Sequence, residues 1–210
     1  MIISHRHKFI FFAVPKTATH TIREALRQHC GPDDWEQQVL FGKQFLPIPE
    51  IAQLRHGHIS VEQIRGHLEP GIWDGYFKFG FVRNPFDRFV STCFFLNRDN
   101  PDFANSAVDF MKERLLRQRF QRRILVRPQY QQICTTDRKI ALDYVGRYEH
   151  LQESYDTICE QIGIPTTELG RKNSSNHSSY NELYDDDLRE LVGNFYEEDL
   201  RVFSYAFPAH

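Results

Sequence analysis

The sequence predicts an α/β fold: a mainly parallel sheet with helices on both faces. Three observations carry that expectation. Residues 9–14 (FIFFAV) and 76–82 (YFKFGFV) are short runs that are apolar on both faces of an extended chain, as central strands covered from either side must be. Each run leads into a segment of helical periodicity. Strands and helices therefore alternate, the order that produces parallel pairing. A chain of 210 residues, 40% hydrophobic and 14% aromatic, suits one domain spanning 1–210 with a substantial core.

The elements follow in order. His5, Arg6, His7 and Lys8 before the first run superficially resemble a signal peptide. The run is too short for one, and Pro15-Lys16 stands where a small-residue cleavage site belongs, so residues 9–14 read as a strand. His5 and His7 are expected at a frayed, solvated start. Ile22, Ala25, Leu26 and His29 recur at helical spacing, and Gly31-Pro32 stops that helix. Residues 33–51, with two prolines and mixed polarity, read mostly as loop; 55–60 read as a short extended piece and 61–67 as helical.

After the strand at 76–82, Asn84 is a good N-cap, Pro85 suits the first helical position and Asp87 the third, with the helix running through Phe94. Residues 104–123 read as one arginine-rich helix, 141–148 as a strand, and 151–162 as a helix ended by Gly163. The polar stretch 171–180 (RKNSSNHSSY) reads as a loop. Leu188, Leu191, Val192, Phe195 and Tyr196 mark a last amphipathic helix, with Asp185, Asp186 and Asp187 at its positive end.

Charge and cysteine usage bound the partners. Lys and Arg total 26 against 28 Asp and Glu, a formal charge of −2, which gives no global reason to expect nucleic acid or an anionic membrane. Any anion site must be local. No apolar stretch approaches the ~18 residues needed to span a bilayer. Cys30, Cys93, Cys134 and Cys159 form no CxxC pair and read as reduced thiols, which makes the cytoplasm the default compartment.

Two segments carry chemistry. Residues 14–21 (VPKTATHT) join a buried strand to an amphipathic helix, a junction that aims backbone N–H groups and the positive helix end at one point, as a phosphate or sulfate requires. Lys16 adds a point charge and the threonine hydroxyls add donors. A kinase-type P-loop reads GxxxxGK[ST]; here the lysine comes early and no glycine is present. The plain alternative is an ordinary strand-to-helix turn with a surface lysine. Residues 80–91 (GFVRNPFDRFVS) place Arg83 at a strand end and Ser91 about two turns into the following helix. An arginine fork and a hydroxyl can together hold a second phosphate. Alternatively Arg83 snorkels and Asn84-Pro85 only cap a helix.

Together these motifs resemble the sulfotransferases that use 3′-phosphoadenosine 5′-phosphosulfate, in particular the carbohydrate sulfotransferase-like branch, sulfotransferase family 2. PKTATHT resembles that family's 5′-phosphosulfate loop and RNPFDRFVS its 3′-phosphate motif. Residues 145–151 (VGRYEHL) and 196–205 (YEEDLRVFSY) match further segments. The resemblance implies a P-loop-NTPase-like sheet, donor binding without a metal, and sulfuryl transfer to an acceptor hydroxyl or amine. It implies that Lys16 and the backbone of Thr17, Ala18, Thr19, His20 and Thr21 cradle the phosphosulfate, and that Arg83 and Ser91 hold the 3′-phosphate. Arg171 and Lys172 fall in the region that closes over that side of the donor. Ala18 and Thr19 stand where relatives often carry glycine, and His20 where threonine or serine is common.

Transfer needs a base for the acceptor proton, and histidine serves near neutral pH. In an extended segment His56 and His58 point to the same side, and Gly57 would let a substrate approach the backbone. The HGH pattern also resembles the segment supplying the base in uronyl 2-O-sulfotransferases. His58 is the expected base, with His56 assisting or binding acceptor; purely structural hydrogen bonding is the alternative. No nearby Cys, Asp or Glu completes a metal set around them. His20 contacts either the sulfate or the helix end. Arg114, Arg117, Arg119, Arg122, Arg123 and Arg127 either receive an anionic acceptor or form a solvated face paired with acids; without interleaved aromatics, nucleic acid is a poor fit. The expected partner is thus an acceptor substrate, a glycan or small hydroxylated molecule, and oligomer formation stays open. Rival readings are a donor-binding protein without transferase activity, a magnesium-dependent phosphoryl-transfer P-loop enzyme, and a pure interaction module.

Overall fold

The computed structural model describes residues 1–39, 42–170 and 180–208. The chain runs β1 (Ile2–Ser4), β2 (Phe9–Phe12), α1 (Thr19–Arg27), β3 (Trp35–Glu36), α2 (Pro49–Ala52), α3 (Val61–Ile64), α4 (Pro70–Gly75) and β4 (Phe77–Val82). It continues through α5 (Pro85–Leu96), α6 (Ala107–Leu115), α7 (Gln118–Gln121), α8 (Tyr130–Ile133), β5 (Tyr144–Arg147) and α9 (Leu151–Ile162). The helices α10 (Asp186–Phe195) and α11 (Glu197–Phe203) follow. These residues pack as two compact units, one of Met1–Val82 with Tyr130–Gly170, the other of Arg83–Gln129 with described residues 180–208.

The first unit holds the sheet, in the order β3-β1-β2-β4-β5. β2 pairs parallel with β4, and β4 parallel with β5. β1 is antiparallel to both β2 and β3, so β3 regains the direction of the parallel strands and the sheet is mainly parallel, as expected. One face presents Phe9, Phe11, Phe79 and Phe81 to Ile22 and Leu26 of α1 and to Tyr155, Ile158 and Ile162 of α9. Phe11 stacks on Phe79 with ring centroids 5.4 Å apart. On the opposite face Ile10 and Phe12 are equally buried, and Phe12 meets Trp73 of α4 edge-on. Burial on both faces explains why β2 is apolar at every position rather than at alternate ones. Each such phenylalanine contributes about 1.5–3 kcal/mol relative to exposure.

Two expectations for this unit need correction. The start is not frayed: β1 lies inside the sheet, and the Met1 amino group donates to Gly57 O at 2.7 Å and Gln37 O at 3.2 Å. His5 Nδ1 sits 2.8 Å from the Tyr76 hydroxyl, and its ring packs edge-on against Trp35. Residues 33–51 are mostly loop, as expected, and supply the short β3 and the start of α2. Residues 55–60 are bent rather than extended, with Arg55 at φ 50°. The helix at 151–162 has the expected bounds, closed by Gly163 at φ 67°, where a residue without Cβ is least strained.

In the second unit, Phe86, Phe89, Val90 and Cys93 of α5 pack against Met111 and Leu115 of α6, Leu188 and Val192 of α10, and Tyr196. Asn84 caps α5 as expected, accepting from Phe86 N at 3.1 Å, with Pro85 in the first turn. Asp185 caps α10 by accepting from Leu188 N. The single helix expected over 104–123 is broken: α6 ends at Leu115, Arg117 is extended, and α7 restarts at Gln118. Leu115 and Phe120 are both buried, yet five residues of unbroken helix would set them about 140° apart. The break allows both to face the core. Among the described residues, no helix is long and apolar enough to cross a membrane.

Gly146 on β5 offers a direct test of packing between β5 and α9. A Cβ there would lie 2.7 Å from Phe81 Cε1 and 3.0 Å from Ser154 Cβ. Gly146→Ala is expected to cost about 1–3 kcal/mol through overpacking, measured by urea unfolding; an unchanged midpoint would contradict the register.

Candidate functional site

The turn after β2 bends sharply into the start of α1. Lys16 and Ala18 take left-handed conformations, φ 67° and 60°, to swing the chain from the strand into α1. Ala18 occupies the N-cap position, no side chain caps the helix, and its first turn holds no acidic residue. First-turn N–H groups have no intrahelical acceptor and carry the positive end of the helix dipole. Thr19, His20 and Thr21 supply them. Thr17 departs from expectation in one respect: its hydroxyl is buried and donates to Val14 O at 2.9 Å, pinning the turn from within. His20 Nε2 lies 3.3 Å from Glu24 Oε1, one turn along α1.

Beside the root of this turn, the HGH segment brings His56 and His58 together, with stacked rings 6.4 Å apart. His58 Nδ1 lies 2.6 Å from Ala13 O, and Gln132 Nε2 donates to the same carbonyl at 3.0 Å. A carbonyl only accepts, so His58 carries its proton on Nδ1 and the lone pair on Nε2. Burial pushes the His58 pKa down to about 3, the hydrogen bond to Ala13 opposing and the Met1 ammonium and Arg23 assisting. The imidazole is therefore neutral.

Gly57 has a different role from the expected substrate approach. Its carbonyl accepts from the Met1 amino group and from Arg23 Nη2 at 2.7 and 3.1 Å. A Cβ would fall 2.4 Å from Gln37 O and 2.7 Å from Arg23 Nη2, so the missing side chain serves internal packing. Arg23, on α1, also donates to Gln37 O and Gln38 Oε1, each at 3.0 Å, and to Glu36. Burial lowers its pKa to about 10 against the pull of Glu36. One buried guanidinium thus ties α1 to the HGH segment.

In the second unit, Arg83 is 6% exposed and its Nε and Nη2 donate to the two oxygens of Asp87, each at 2.7 Å. Ser91 is buried on α5. The neighbouring Arg88 is fully buried and donates to Leu125 O, Val126 O and Arg127 O, with its guanidinium over the Tyr196 ring. Within the basic stretch, Arg117 pairs with Glu113, Arg114 lies over Phe110, and Arg127 Nε donates to Arg122 O. Arg171 and Lys172 lie outside the described residues.

Sequence reasoning missed Arg23, Gln132, Gln129 and Asp199. Gln129 and Asp199 are buried at 1% and 0% exposure and hydrogen-bonded to one another. Asp199 at least falls in the C-terminal segment 196–205, whereas Gln129 falls in none of the motif segments.

The model of the Sulfotransferase family matches residues 1–206. An uncharacterized protein of Archaeoglobus fulgidus is 28% identical over 120 residues, which make up 57% of this chain and 95% of that protein. The crystal structure of a sulfotransferase from Alicyclobacillus acidocaldarius aligns with 92% of this chain and 93% of its own at 18% identity, with a TM-score of 0.44.

Two outcomes follow from the geometry. Ala18→Gly is expected to raise stability by about 0.5–1 kcal/mol, because relief of left-handed strain exceeds the added entropy of the unfolded chain; a loss on thermal unfolding would contradict the conformation. His58 is held neutral with its pKa near 3, whereas in the unfolded chain it titrates near 6.5. Below pH 6.5 the unfolded state alone takes up the proton, so His58 lowers stability as pH falls toward 3. His58→Gln is expected to flatten that part of the pH–stability curve; an unchanged slope would contradict the burial.

Proposed function

Because the chain belongs to the sulfotransferase family, we propose that it moves a sulfuryl group from 3′-phosphoadenosine 5′-phosphosulfate to an acceptor hydroxyl, with a carbohydrate as the favoured acceptor. The family match over residues 1–206 supports treating the chain as one sulfotransferase domain. The observation that carries the proposal is the uncapped start of α1 behind a two-kink turn, with Lys16 in that turn and His58 anchored to Ala13 at its root. Free thiols at all four cysteines are consistent with a cytoplasmic protein.

In this reading the N–H groups of Thr17, Ala18, Thr19, His20 and Thr21, with Lys16, hold the 5′-phosphosulfate. Arg83 and Ser91 take the 3′-phosphate; Asp87 fixes one edge of the Arg83 fork and so its plane. Arg171 and Lys172 are proposed to add charge on that side. The acceptor oxygen attacks sulfur in line as the bond from sulfur to the phosphate oxygen breaks. The electron pair leaves with adenosine 3′,5′-bisphosphate, and Lys16 and the fixed dipoles stabilise the charge it acquires. His58 Nε2 receives the acceptor proton, with His56 assisting.

A histidine with a pKa near 3 is a poor proton acceptor in isolation. Bound donor changes that, since its negative charge beside the imidazole favours the protonated form. Charge neutralisation by side chains and helix end makes a metal unnecessary in this mechanism.

Lys16→Ala is expected to lower sulfuryl transfer by at least about 100-fold with unchanged thermal unfolding. Transfer would be followed by mass spectrometry of an acceptor panel, glycans and small hydroxylated molecules together. Activity of the variant at the wild-type rate would overturn the assignment of Lys16. Donor binding by the wild type with no turnover on any acceptor would favour a binding protein instead.

A further inference from the structure

The Arg83 peptide is held by a side-chain clamp that no motif announces. Gln129 Oε1 accepts from Arg83 N at 3.0 Å, and Gln129 Nε2 donates to Arg83 O at 2.9 Å. One amide thereby pairs with both polar groups of the Arg83 backbone, as a neighbouring strand would. Asp199 Oδ2 in turn accepts from Gln129 N at 2.8 Å and from Gln129 Nε2 at 3.3 Å. A carboxylate offers no proton here, so it admits only the NH2 end of the amide and fixes which way Gln129 faces. With the amide reversed, Oε1 would oppose both Asp199 and Arg83 O, while NH2 would face Arg83 N–H.

All three residues are buried, with Arg83, Gln129 and Asp199 at 6%, 1% and 0% exposure. The next residue is tied down as well, since Asn84 Nδ2 donates to Ala206 O at 2.9 Å. The C-terminal segment that carries α11 therefore fixes the backbone from which the Arg83 side chain springs. A guanidinium that recognises phosphate through a planar fork loses selectivity when its origin shifts by a fraction of an ångström.

From this geometry we infer that Gln129 and Asp199 are positioning residues for recognition of the donor's 3′-phosphate by Arg83. The inference rests on the proposed role of Arg83. It assigns the C-terminal segment a duty in telling a 3′,5′-bisphosphate from an ordinary nucleotide, in addition to its packing.

The test is titration calorimetry of the full chain with adenosine 3′,5′-bisphosphate and, on the same preparation, with AMP. Gln129→Ala is expected to weaken bisphosphate binding at least tenfold and leave AMP within twofold. Gln129→Glu, which sets a carboxylate against Asp199, should do the same. Asp199→Asn keeps an oxygen that can accept from Gln129 N and should retain more discrimination than Asp199→Ala. In turnover the clamp variants should raise donor KM and leave kcat unchanged. Parallel loss of both nucleotides, or a fall in kcat with unchanged donor KM, would show a merely structural role and overturn the inference. If the wild type does not prefer the bisphosphate, the donor reading falls and the clamp's role with it. If the wild type discriminates and Gln129→Ala does so equally, the clamp alone is overturned.

Discussion

A helix that begins directly after a buried strand, with nothing from its own side chains to cap it, leaves backbone N–H groups that call for an acceptor. In this protein the start of α1 is that place, and much of the first unit is organised around holding it still. β2 is apolar on both faces, so it is fixed from either side by helices. Thr17 ties the turn back to the strand, and two left-handed residues bend it into the helix. In the proposed mechanism the cost of those conformations is offset, because an anion bound by fixed dipoles needs no reorganisation at the moment of reaction.

The same economy governs the histidines. Ala13 O, just after β2, is the shared acceptor for His58 and Gln132, so the residue before the proposed cradle also sets the tautomer of the nearby imidazole. Arg23 reaches from α1 to Gly57, linking the helix that supplies the N–H groups to the segment that supplies the proposed base. Displacement of either would disturb both. The second unit repeats the principle with different chemistry: buried Arg88 gathers three carbonyls, and the Gln129 amide gathers the Arg83 peptide.

The parts legible in the sequence are those whose signal is local. Buried strands β2 and β4, the Asn84-Pro85 cap, the helix closed by Gly163 and the strand-to-helix turn before α1 all declare themselves within a dozen residues. What stayed hidden depends on distant partners. β1 is three residues long and is recognisable only through its pairing with β2. The break between α6 and α7 follows from a core that must take both Leu115 and Phe120. Gly57 looked like room for a substrate until Gln37 O and Arg23 filled the space around it. Gln132, Gln129 and Asp199 act through hydrogen bonds that span many tens of residues, and no residue type at those positions would announce them.

The most direct measurement is a proton–nitrogen correlation spectrum of the labelled protein, titrated with adenosine 3′,5′-bisphosphate in magnesium-free buffer. The account predicts that the backbone amides of Thr19, His20 and Thr21 shift and saturate together, and that Lys16→Ala weakens the response without abolishing the fold. Amides that stay in place at saturating ligand, or that move only when magnesium is added, would contradict a metal-free anion cradle at the start of α1.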